Sequence, residues 1–364
     1  MDVKSRGGRS YTDILIRRER GGAGSEGSGE GRGGRVDRRL IDEFTVYSSD
    51  SIFMKGSLRK KLSSEVMAAK FSSDDRFVCV GLADGTVAAL STTNNKSATI
   101  EVSRLPITCL AWLDRNRLLA ADAEGRVFCL EVGEGPTLAI SGSHELKTET
   151  LSMDIDAGAE LAALGTKSGA IIFLDPKRLR EVGRLEPGDA FIPGHSSRVF
   201  SVRFGQNGTL ASGGWDASVL LWDSRTRRSS GRILGPVLSG DSLDLKGDFL
   251  LAGSYREKDN LDLYDLRNRQ KIVGLDFAGP RGGATNHTSA CRFGTDPKGN
   301  ELIIAGSCVG NQLAIFRKDI LYKPELYLLG VNKGVFATGF SHAGGSALLG
   351  SGDGDISISS LAFD

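Results

Sequence analysis

The acidic run Gly352-Asp-Gly-Asp355 is the first place where side chains of one type stand close enough to do chemistry. Carboxylates are hard oxygen ligands, so such a run could hold a cation. A hairpin turn needs the same residues, however, and no acidic partner follows at the spacing of a calcium-binding loop. Asp262 and Asp265 form a second acidic pair. Three residues apart on an extended segment, they face opposite sides and do not make a general acid/base pair. The four histidines show no metal-ligand spacing, and the five cysteines form no Cys-x-x-Cys pair. There is no nucleophile elbow and no phosphate-binding loop. The residues imply no catalytic set, no metal and no cofactor, so the expectation is a protein that is not an enzyme.

Stepping out to the elements, the stretch from Gly194 to Arg225 is the most regular in the chain. Val199 to Phe204 alternates apolar and polar residues. Gln206, Asn207 and Gly208 are turn formers. Thr209 to Ser212 is a second run, Gly213 to Ala217 a second turn, and Val219 to Trp222 a third run ending at Asp223. Alternation with period two between Gly, Asn and Asp turns is the mark of antiparallel strands joined by hairpins.

This stretch resembles the WD repeat, which carries a Gly-His near its start and a Trp-Asp at its end. Both are present, as Gly194-His195 and Trp222-Asp223. The resemblance implies a buried hydrogen-bonded tetrad made by His195, Ser212, Asp216 and Trp222. The physics fits, since a buried imidazole and a buried carboxylate each need a partner.

A turn of the same kind recurs along the chain. It falls at Asp84-Gly85, Glu124-Gly125, Ser168-Gly169, Asp216-Ala217, Asp259-Asn260, Gly310-Asn311 and Asp353-Gly354. The intervals are roughly 40 to 50 residues, the period of four-stranded propeller blades. Most of these turns follow a small-residue run such as Leu210-Ala-Ser-Gly or Ile304-Ala-Gly-Ser. The expected fold is therefore all-β: a single WD-repeat β-propeller of seven blades over residues 41–364. Outside the fourth unit the pattern is degenerate, with Tyr264-Asp265 standing for Trp-Asp in the fifth. The seventh unit ends with its third strand. A strand near residues 44–55, either Phe44 to Tyr47 or Ile52 to Lys55, is expected to supply the fourth and remove an exposed edge.

Residues 1–40 differ in kind: ten are Gly and ten are Lys or Arg. Such a segment buries too little to offset its ordering entropy, and it reads as a disordered arm. Arg6, Arg9, Arg32 and Arg35 frame two RGGR motifs, which suit RNA contact through stacking and phosphate pairing. A plain flexible tail has the same composition. Tyr11 to Arg18 is a small apolar island within it.

Net charge is +1, so no overall field points at nucleic acid or membrane. No apolar run has membrane-spanning length, and the first residues lack the apolar core of a secretion signal. Reduced cysteines set in apolar runs fit an intracellular location, cytoplasmic or nuclear.

The expected function is a non-catalytic scaffold or adaptor within a larger assembly. It binds proteins or peptides on upper-face loops and rim, and is itself monomeric. Leu210 to Arg225 also resembles the motif of WD-repeat substrate receptors of cullin-RING ubiquitin ligases. That resemblance implies adaptor docking through Arg225 and Arg267. An RNA-associated scaffold acting through the arm is a third reading. The basic segment Arg225 to Arg232 reads first as a solvated charged loop; an anionic-partner patch, or regulation by phosphoserine around Ser229 and Ser230, is the sharper alternative. A second basic connection runs from Arg281 to His287. Phe191 and Ile192 lie in a turn-rich approach to His195.

Overall fold

The computed structural model describes residues 37–41, 44–48, 52–188, 193–256, 260–275, 287–318, 324–329 and 331–363. Among them the strands form seven antiparallel sheets. The first is Val66–Phe71, Phe77–Leu82, Thr86–Ser91 and Ser97–Glu101. The fourth is Val199–Phe204, Thr209–Gly214, Ser218–Asp223 and Arg228–Leu234. Each inner strand touches the inner strand of the next sheet, and Val335–Phe340 returns to Val66–Phe71, so the ring closes. This is a seven-bladed propeller. The recurring turns join the second and third strands of each blade. They lie on one face, called upper here, together with the connections between blades. The turns between first and second and between third and fourth strands lie on the lower face.

The core sits between blades. Phe173 and Leu185 of blade 3 pack with Val202, Leu210 and Trp222 of blade 4 in one apolar cluster. Inner strands are therefore buried on both sides, whereas an outer strand such as Arg228–Leu234 buries only Ile233. The small-residue runs now have a reason. A Cβ on Gly81 would lie 2.6 Å from Cγ2 of Ile107, the first residue of the next inner strand. A Cβ on Gly165 would lie 2.6 Å from Cγ1 of Val199 in the same way. Glycine is thus required where the neighbouring blade seats its first β-branched side chain.

Ile52–Lys61 pairs antiparallel with Asp355–Phe363 and is the fourth strand of blade 7. Ile52 and Met54 join the apolar cluster of Leu349 and Leu361. Of the two segments able to close the ring, the second does so. Phe44–Ser48 instead pairs with Pro324–Leu329 and extends blade 6, and Asp37–Ile41 pairs with Phe44–Ser48. Blade 6 thus has six strands. Asp37 to Leu40, read from composition as the end of the arm, are strand, because a sheet edge supplies their hydrogen-bond partners. The rest of the expected disordered arm lies outside the described residues.

Candidate functional site

Blade 4 contains a continuous hydrogen-bonded chain. His195 Nδ1 lies 2.8 Å from Asp216 Oδ2, and Nε2 lies 2.7 Å from Ser212 Oγ. Trp222 Nε1 donates to Ser212 Oγ over 2.8 Å. The carboxylate sets the direction. The indole N–H can only donate and the carboxylate can only accept, so Nδ1–H donates to Asp216; with that tautomer Nε2 accepts the Ser212 hydroxyl proton. His195 and Ser212 are fully buried. Burial works against the Asp216 carboxylate, but bonds from His195, Ser218 and the Ser196 amide outweigh it and hold its carboxyl below the usual range. The chain ties the connection entering blade 4 to its second and third strands. A Cβ on Gly169, whose φ is +95°, would lie 2.6 Å from the His195 carbonyl, so blade 3 abuts this junction.

A second polar constellation faces the central channel. Lys70, Asp154, Arg203, Asp244 and Arg292 come from the inner strands of blades 1, 3, 4, 5 and 6. Asp241, just before the inner strand of blade 5, gathers the cations. Lys70 Nζ is 3.0 Å from Asp241 Oδ2, and Arg203 and Arg292 also bond to that carboxylate. Burial opposes its charge, but Arg203, Arg292 and Lys70 hold the carboxyl far below the usual range. Burial, then Arg203 and Arg292, push the Lys70 amine down to about 8. Burial raises Asp154. Two acids also clasp the following blade: Asp154 accepts the Phe204 N–H at 2.8 Å and Asp244 accepts the Phe293 N–H at 2.7 Å. At the lower mouth a cavity of about 380 Å³ is lined by Lys70, Asp154, Asp156, Arg292, Phe340 and His342. Its charges are of both signs, so it favours no one ligand charge.

With the fold and these groups in place, comparison with known families finds one repeat. Residues 189–223 match the family model described as WD domain, G-beta repeat. That match, in blade 4, and the seven-bladed arrangement together support a WD-repeat β-propeller. Comparison with the curated proteins gives no match. WD-repeat propellers are typically non-catalytic scaffolds for protein–protein interaction.

Other blades of the propeller use substitutes for the tetrad. In blade 2, Asp122 accepts Ser103 Oγ at 2.8 Å and Arg126 Nε at 2.9 Å. In blade 5, Asp262 receives Tyr264 Oη at 3.1 Å and Arg256 at 2.8 Å. Asp262 is therefore a structural anchor, while Asp265 orients Arg267 from the other side of the strand. Among the described residues no group of three or more His, Cys, Asp or Glu side chains is placed to hold a metal ion. Burial pushes the Cys109 and Cys291 thiols up to about 12, which removes them as nucleophiles at neutral pH. Among the described residues no helix is long and apolar enough to cross a membrane.

On the lower rim, Arg225 is oriented by Asp223 and Arg267 by Asp265, and both guanidinium groups are exposed. They stand on the third-to-fourth strand turns of neighbouring blades. Between those blades runs a groove of about 240 Å³ that Arg267, Arg269 and Ser230 help to line. The segment Arg225 to Arg232 is not a loop throughout: from Arg228 it is the outer strand of blade 4, paired with Ser218–Asp223. Its polar residues suit a strand that is solvated on its outer side. Arg6, Arg9, Arg32, Arg35, Phe191, Ile192 and residues 281–286 lie outside the described residues.

The upper face carries a feature that sequence reading passed over. Trp215 is 38% exposed, although it is a large aromatic. Its ring lies 5.3 Å from that of Phe200, and the Arg198 guanidinium sits 4.8 Å from its centroid. Further round the face the rings of Tyr255 in blade 5 and His287 at the entry to blade 6 lie 4.0 Å apart, tilted by 47°. The only signal in the sequence was a tryptophan inside a hairpin turn, where small polar residues are the rule.

Proposed function

We propose that the protein is a non-catalytic docking scaffold that holds a partner protein on its upper face, over Trp215. The exposed Trp215, braced by Phe200 and Arg198, carries this reading. Tryptophan and arginine dominate binding hot spots because a rigid ring buries a large area at little entropic cost. Here the ring is held in place before any partner arrives. The blades fix the loops, and the loops present the surface.

The test is affinity capture of the full chain from its native cells under mild salt, comparing the parent with Trp215→Ala. The variant should lose its main partner, with a fall in affinity of about thirtyfold or more, as truncation of a hot spot costs ~2 kcal/mol. An unchanged partner set from a variant that melts like the parent would overturn the reading.

A second reading places the same protein in a cullin-RING ligase as a substrate receptor. Its support is that Arg225 and Arg267 are both exposed and aspartate-oriented on adjacent blades of the lower rim. Loss of a cullin-RING adaptor from Arg225→Ala/Arg267→Ala, with upper-face partners retained, is the expected result. Absence of that adaptor from the parent capture would discard it.

A further inference from the structure

We propose that Ser230 is a phosphorylation site for an arginine-directed serine kinase, and that Arg269 of the next blade clamps the phosphate. Three observations meet at this residue. The first is its setting in the strand. Trp222 pairs with Ser229 and Leu221 with Gly231, so Ser230 is the extra residue of a bulge. Residues 225 to 230 are all exposed, and only Ile233 of the outer strand is buried. That strand is hydrogen-bonded to blade 4 on one side alone, so it can be lifted locally into a kinase groove at little cost.

The second observation is charge. Arg225, Arg227 and Arg228 stand five, three and two residues before Ser230, and Arg232 stands two after it. A kinase whose peptide groove is lined by carboxylates reads such a pattern by electrostatic complementarity. Ser229 has its arginines one residue closer, and it sits in regular register, not in the bulge.

The third is the receiving side. Arg269 Nη2 donates to the Ser230 carbonyl oxygen over 2.6 Å. A Cβ on Gly231 would lie 2.5 Å from Arg269 Nε, so the guanidinium already lies across the strand beside Ser230. Ser230 also lines the groove that holds Arg267 and Arg269. A phosphate of charge about −2 placed there gains charge-assisted hydrogen bonds from a cation that is already in position.

In the transfer, Ser230 Oγ attacks the γ-phosphorus of a nucleoside triphosphate. The Oγ–P bond forms and the bond from that phosphorus to the β–γ bridging oxygen breaks. The nucleoside diphosphate leaves, and the hydroxyl proton passes to the kinase's basic carboxylate. The product turns a basic groove on the lower rim acidic, which would repel a partner that reads Arg267 and Arg269. The site does not depend on which protein docks over Trp215.

The experiment uses the full chain with magnesium ATP and the catalytic subunit of the cyclic-AMP-dependent kinase, with an acid-directed kinase as control. Phosphate should map to Ser230. Uptake should fall about tenfold or more in Ser230→Ala and severalfold in Arg228→Ala, whose side chain is exposed, but not in Ser229→Ala. Phosphorus NMR of the modified chain should show the second phosphate ionisation below its ordinary value of about 6, with a return towards it in Arg269→Ala. Modification mapped to Ser229 would overturn the proposal. So would modification of a peptide spanning residues 221–235 but not of the folded chain. A phosphate ionisation indifferent to Arg269→Ala would overturn the clamp.

Discussion

Lys70 and Asp241 are 171 residues apart in the chain and 3.0 Å apart across the central channel. Arg203 and Arg292 bind the same carboxylate, so one aspartate of blade 5 links blades 1, 4 and 6. The inner strands converge on the axis, and any charge at a channel-facing position must be neutralised by another blade. Asp241 is the hub of that neutralisation.

Replacing the hub should be costly. Asp241→Asn leaves three cations facing one another with no shared carboxylate. Removing one partner of a fully buried pair costs 3–5 kcal/mol, but the Asp241 side chain is 34% exposed. A loss of about 1–3 kcal/mol is expected, read from the denaturant midpoint. Lys70→Met in the same background should recover part of it. If Asp241→Asn unfolds with the parent, the cluster does not hold the ring.

The Lys70 amine is set at about 8 in the folded chain, against 10.5 without the fold. Between these values the unfolded chain binds the additional proton. This group's contribution to stability therefore rises with pH across the window from about 8 to 10.5. Denaturant midpoints of the parent, relative to Lys70→Met, should climb from pH 7 to 10. A flat difference would show that Lys70 titrates like a solvated lysine.

The tetrad offers a graded pair. His195→Ala strands the Asp216 carboxylate and should cost about 1–3 kcal/mol. Trp222→Phe removes only the donor to Ser212, along with some packing, and should cost about 1 kcal/mol. Equilibrium unfolding in guanidinium reads both. An unchanged midpoint in His195→Ala would remove the tetrad from the account of stability.

Deletion of residues 1–36 leaves all the described strands in place and should not move the melting midpoint. Deletion of 1–61 also removes the outer strand of blade 7, with Ile52 and Met54, both almost fully buried. At ~1.5–3 kcal/mol for each buried apolar side chain, a loss of at least about 3 kcal/mol is expected, or failure to fold. Scanning calorimetry of the two truncated chains separates the cases. Equal midpoints would show that the ring does not need this strand.

The seven blades were legible because each is local. A four-stranded meander needs alternation, turn residues and small residues at close approaches, and all of these repeat along the chain. Within blade 4 even the tetrad's side chains lie in one stretch of 28 residues, from His195 to Trp222. The channel cluster was not legible in the same way. Lys70, Asp154, Arg203 and Arg292 each stand next to last or near it in an inner strand, and singly they look like the solvated half of an alternating pattern. Only closure of the ring brings them face to face. The choice between Phe44–Ser48 and Ile52–Lys61 was likewise out of reach of the sequence, because both have strand character and pairing depends on which blade edge lies vacant. Trp215 shows the same limit. Its type is visible in the sequence, but its place against Arg198 and Phe200, at the start of the inner strand, comes only with the folded blade. Local periodicity encodes a blade; contacts across many residues, created when the blades assemble, determine the channel, the seam and the exposed surface.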